Sequence, residues 1–60
     1  MKLLNKRELR AKTSLSQTEI VRKEKAGKFP ERIWISTNRV AWVESEVDQW
    51  IEDRIKDSRK

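Results

Sequence analysis

The only glycine and the only proline of this 60-residue chain, Gly27 and Pro30, stand three positions apart and divide it into halves of different periodicity. Ahead of them, Ser16 and Glu19 form a Ser-x-x-Glu capping box, in which hydroxyl and carboxylate satisfy backbone N–H groups that the first turn of a helix leaves unpaired. Gly27 can take the positive φ that ends a helix, and Pro30, lacking an N–H, prevents its resumption. A helix over residues 16–26 is thus bounded at both ends by local chemistry. A second, shorter helical pattern runs over residues 6–12 with Asn5 as its N-cap. Thr13, Ser14 and Leu15 leave room only for a sharp turn between the two, and Leu9, Leu15 and Ile20 are spaced to meet where the helices cross. The pattern is that of a helix-turn-helix, although a plain helical hairpin has the same spacing.

Beyond Pro30 the period changes to two. Ile33 and Ile35 alternate with Arg32, Trp34 and Ser36, and Val40 and Trp42 alternate with Arg39 and Ala41, as expected for half-buried strands. Residues 36–39 read as the hairpin turn, with Asn38 suited to a left-handed conformation. Val43, Val47, Trp50, Ile51 and Ile55 then return to helical spacing, with Glu46, Asp48, Glu52 and Asp53 mainly on the other faces. The expected core comprises Leu4, Leu9, Leu15, Ile20, Phe29, Ile33, Ile35, Val40, Trp42, Val47, Trp50, Ile51 and Ile55. Alternation places Trp34 on the opposite face from Ile33 and Ile35. Three uses are open to it: contact with DNA sugar-phosphate, contact with a protein, or cover for a strand and the stem of a nearby Arg.

Size and composition narrow the possible functions. A chain this short forms one domain, residues 1–60 with fraying expected at 1–3 and 57–60, and buries only about 60% of its unfolded surface, too little for a deep substrate cleft. It has neither Cys nor His, so no disulfide, thiolate or imidazole metal site is available, and neither metal nor cofactor is expected. Glu44 and Glu46 suit the first turn of the last helix better than an acid/base pair, and no enzymatic activity is expected. Neither a signal-peptide core nor a bilayer-spanning stretch is visible, which predicts a soluble cytoplasmic protein, associated with the nucleoid when bound to DNA, with no membrane and no small-molecule substrate among its partners. The net charge of +5 is unevenly distributed: residues 1–42 carry eleven Lys/Arg against four Glu, a net +7, and residues 43–60 carry four against six acids, a net −2. One part of the molecule is suited to face a polyanion, and the other is not.

The order of elements and several local sequences resemble the AlpA-type phage and prophage regulators, a group with a MerR-like winged helix-turn-helix also seen in small phage excisionases. The likeness is carried by Thr13-Ser14-Leu15-Ser16 at the turn, Ile20 and Arg22 in the second helix, Ala26-Gly27-Lys28-Phe29-Pro30 after it, Arg39-Val40-Ala41-Trp42 in the wing, and Glu44-Ser45-Glu46-Val47 with Trp50-Ile51 near the end. The chain departs from the family's usual Gly at Ser14, Arg at Gln17 and Tyr at Val21. The resemblance implies an α+β, mainly α fold: a helix-turn-helix, a two-stranded β-hairpin wing and a C-terminal helix. It also implies that helix 16–26 enters the major groove of double-stranded DNA, with the wing at residues 36–39 beside it. On chemical grounds Gln17, Thr18, Val21 and Arg22 are the base-reading candidates, since Gln suits adenine, Arg suits guanine, and Thr or Val can meet a thymine methyl. Lys23, Lys25, Lys28, Thr37, Asn38 and Arg39 are the phosphate and wing candidates.

Three functions follow as expectations. The first is a sequence-specific transcriptional regulator of a phage or mobile element. The second is an excisionase that bends DNA and recruits an integrase, or that acts with a second copy on adjacent sites. The third, from a different class, is a protein-interaction module or inhibitor whose basic face docks on an acidic partner.

Overall fold

In the computed structural model, which describes residues 1–59, the chain forms β1 (Leu3–Leu4), α1 (Lys6–Thr13), α2 (Gln17–Lys25), β2 (Ile33–Ser36), β3 (Arg39–Val43) and α3 (Glu44–Ser58). Of the fraying expected at 57–60, Lys60 lies outside the described residues. The starts of α1 and α2 are capping boxes. Glu19 N donates to Ser16 Oγ at 3.2 Å, and Asn5 Oδ1 accepts from Glu8 N at 2.8 Å while Glu8 Oε1 accepts from Asn5 N. The turn between α1 and α2 is closed by Ser14, whose N–H donates to the Arg10 carbonyl at 2.8 Å and whose φ of 61° is the only positive value at a non-glycine among the described residues. Gly27, at φ 71°, ends the second helix as its position predicts.

The sheet has three antiparallel strands in the order β1-β3-β2, one more than the hairpin expected from the sequence. Leu3 pairs with Val43 and Leu4 with Trp42, so the N-terminal segment covers the free edge of β3. A two-residue strand carries too little periodicity to be read locally, and only its pairing reveals it.

The core is built from Leu4, Leu9, Ile20, Phe29, Trp42 and Val47, with Leu15, Val40, Trp50 and Ile51 packed partly against it. Leu9, Ile20, Trp42 and Val47 are fully buried, so one residue each from α1, α2, β3 and α3 meets at a common centre. Three of the expected core residues do not join it. Ile33, Ile35 and Ile55 keep 38%, 53% and 44% of their surface exposed. For Ile33, the register explains why. Trp34 stands opposite Val40 and Ile33 opposite Ala41, and directly opposed residues share a face. Trp34 therefore lies on the Trp42 side of the sheet and Ile33 on the other, the reverse of the phase read from alternation. β2 is an edge strand with all four of its residues exposed, Ile35 among them, and Ala41 on central β3 is buried instead. Ile55 lies in the last turns of α3, beyond Val47, Trp50 and Ile51, the residues of this helix that join or pack against the core. Asn38 does not take the left-handed conformation expected of it. The irregularity of the hairpin sits in β2, as a shift of register between Trp34 and Ser36.

A few polar contacts fix the elements relative to one another. The Arg32 guanidinium donates to both carboxylate oxygens of Glu24, from Nε at 3.1 Å and from Nη2 at 2.5 Å, and lies over the Trp42 ring at 5.3 Å. The end of α2 is thereby clamped to the start of β2, and the Arg stem sought as a partner for Trp34 serves Trp42. Charge-assisted pairing with Glu24 raises the Arg32 pKa. Trp50 Nε1 donates to the Lys28 carbonyl at 2.7 Å, and its ring meets Phe29 edge-on at 4.9 Å, which anchors the segment after α2 to α3. Lys12 bridges Asp48 at 2.7 Å and Glu44 at 3.4 Å, and Lys2 reaches Glu44 at 3.8 Å.

Candidate nucleic-acid interface

With Ile20 fixed in the core, the 3.6-residue period of α2 determines what the rest of the helix presents. Thr18, Arg22 and Lys25 are exposed on the side away from Ile20, and Gln17 and Val21 flank them, half-buried. The four base-reading candidates thus share one stripe, and Lys25 adds a cation at its end. Lys23 does not belong to it. At 100° per residue it falls roughly opposite the centre of the stripe, and it is half-buried.

Among the described residues, the stripe's side chains form no ion pair and no hydrogen bond. Glu19, one turn before Arg22, gives its carboxylate to the Ser16 N–H and hydroxyl, and forms no ion pair with Arg22. Among the described residues, the cations that do form ion pairs are Lys2, Lys12, Arg32 and Arg54, and every acid they use belongs to α3 except Glu24. Arg22, Lys25, Lys28 and Arg39 form no ion pair among the described residues. Acidic α3 neutralises the cations near its own base and leaves those of α2 and the hairpin tip unneutralised.

Thr37 and Asn38 form the exposed turn between β2 and β3, and Arg39 begins β3 at the same tip. Lys28 is exposed, with its carbonyl held by Trp50. The capping box at Ser16 leaves the N–H groups of Gln17 and Thr18 outside the helical ladder, at the positive end of the α2 dipole. Three further cations without an ion pair among the described residues, Lys6, Arg7 and Arg10 of α1, were not singled out by the sequence. Their relation to the wing depends on the β1–β3 pairing, which the sequence did not reveal.

A turn-linked helix pair, a hairpin wing and a helix packed behind them define a small winged helix-turn-helix protein. The model of one protein family, the prophage CP4-57 regulatory protein (AlpA), matches residues 2–55. The chain belongs to this AlpA family of prophage regulatory proteins. No curated protein matches it. No helix among the described residues is long and apolar enough to cross a membrane.

Proposed function

We propose that the protein is a sequence-specific, duplex-DNA-binding regulator of a phage or mobile element, with α2 inserted in the major groove and the wing at residues 36–39 over the adjacent backbone. One observation carries the reading: α2 places Gln17, Thr18, Val21, Arg22 and Lys25 in a single stripe that, among the described residues, has no ion pair or side-chain hydrogen bond. Arg22 is rigidly based and free to bond a guanine in bidentate fashion, Gln17 suits adenine, and Thr18 and Val21 offer methyl groups to thymine. Lys25, Lys28 and Arg39 supply sequence-independent attraction to phosphates, supported by the free N–H groups at the α2 start. Membership of a prophage regulatory family agrees with this assignment.

The test is selection of bound sequences from a random duplex pool, followed by measurement of two variants against the selected site. Arg22→Ala is expected to relax the preference at one base pair, at a cost of about 1–3 kcal/mol on the preferred sequence, whereas Lys25→Ala weakens all sequences alike. Failure of the pool to enrich any motif would overturn the reading.

A further inference from the structure

β1 pairs with β3 and leads directly into α1, so the first turns of α1 lie beside the root of the wing. An open groove runs between them. Leu3, Ile35 and Ala41 contribute apolar surface to it, and Lys6, Arg7, Arg10 and Arg39 the charge. None of these four cations forms an ion pair among the described residues, although Lys2 and Lys12, close to them in sequence, both do. Glu8, the one acid lining the groove, is engaged by the Asn5 N–H at 3.0 Å, so the groove keeps a net charge of about +3. Asn38, at the wing tip, adds an amide.

We propose that this groove holds a stretch of DNA sugar-phosphate backbone, as a second contact surface alongside α2. The inference rests on the DNA-binding reading of α2 and the wing, and extends the footprint to α1. Its chemistry alternates as the backbone does. Phosphate oxygens take the Lys and Arg side chains, and the apolar faces of deoxyribose rings rest on Ile35 and Leu3, both exposed large apolar residues. This gives the outward Ile35 a use that packing does not. An acidic protein segment is the competing occupant. DNA is preferred because Asn38 and Arg39 form a wall of the groove and are also the wing tip, so a duplex lying on α2 and the wing continues over it.

The experiment compares the full chain with the triple variant Lys6→Gln/Arg7→Gln/Arg10→Gln and with Ile35→Ser, all at exposed positions, on a fixed duplex over a series of salt concentrations. Each phosphate contact contributes about −0.9 to the slope of log K against log salt, so loss of three flattens it by about 2–3 while the base preference is retained. Ile35→Ser is expected to weaken binding with the slope unchanged, since it removes a sugar contact and no charge. Unchanged thermal unfolding of each variant establishes that the fold is intact. A wild-type slope retained by the triple variant overturns the groove assignment and leaves α2 untouched. Absence of any duplex binding by the wild type overturns the reading of α2 itself. If poly-glutamate perturbs the Leu3, Lys6 and Asn38 amide resonances at the same salt and the duplex does not, the groove is a protein-docking site and the proposal fails.

Discussion

Replacing Ser14 by Gly is expected to stabilise the protein, and the size of the effect follows from a single dihedral angle. Ser14 sits at φ 61°, ψ 17°, where an L-residue crowds its Cβ against the carbonyl at a cost of about 1–2 kcal/mol. Its side chain is exposed, and its role in the turn is made by the backbone, through the N–H donated to the Arg10 carbonyl. Glycine keeps that hydrogen bond and relieves the crowding, but loses about 0.5–1 kcal/mol through the greater freedom of the unfolded chain. At the midpoints of these ranges the net gain is about 0.75 kcal/mol, which for a domain of this size raises Tm by about 3–6 °C. Differential scanning calorimetry or far-UV circular dichroism would measure it. Gly27→Ala is the reciprocal experiment. Gly27 has φ 71°, and a Cβ added there meets nothing within 4 Å, so any loss of stability comes from the backbone alone. A Ser14→Gly variant that melts at or below the wild-type temperature would refute the reasoning, and would mean that the serine hydroxyl contributes to the turn in a way the hydrogen bonds do not reveal.

Other consequences are open to similar measurement. Leu9→Ala removes a fully buried side chain at the meeting point of the helices and should cost about 2–5 kcal/mol, comparable to the whole stability of so small a domain; its amide NMR spectrum is expected to collapse to that of an unfolded chain. Ile55→Ala, at a residue 44% exposed, should change stability by no more than about 0.5 kcal/mol. Glu24→Gln leaves the partly buried Arg32 without its charged acceptor and is expected to cost about 1–3 kcal/mol in denaturant unfolding. The Lys12 pKa is raised above 10.5, first by its hydrogen bond to Asp48 and then by the carboxylate charges of Asp48 and Glu44. A raised lysine pKa gives stability that is complete below the unfolded value near 10.5 and is lost as pH climbs through the higher folded value. Melting temperatures recorded from pH 9 to 12, a range chosen to span roughly one to two units about the lysine value, should therefore show an alkaline decline that is shallower in Lys12→Met.

The chain's own short-range chemistry determined the helices. Asn5 with Glu8 and Ser16 with Glu19 cap their own first turns, and Gly27 ends its own helix, because each of these interactions spans no more than a few residues and needs no other part of the fold. The outward stripe of α2 was legible for the same reason: once Ile20 is inside, the helical period fixes where Gln17, Thr18 and Arg22 point. The same period sends Lys23, a phosphate candidate by its charge and its place near the helix end, to the far side from that stripe. What the sequence left open lay in the sheet. Alternation has only two phases, and nothing local distinguishes them on an edge strand whose residues are all exposed, so Ile33 and Trp34 could be assigned only from their partners across the ladder, and Ile35 falls where the register shifts. Leu3–Leu4 became a strand only because β3 offered it an edge. That pairing brings α1 beside the wing and gathers Lys6, Arg7, Arg10 and Arg39 around one groove from positions up to 33 residues apart. Charge density along a chain shows how many cations there are; which of them face a common ligand depends on strand pairing, and that is decided by the tertiary structure.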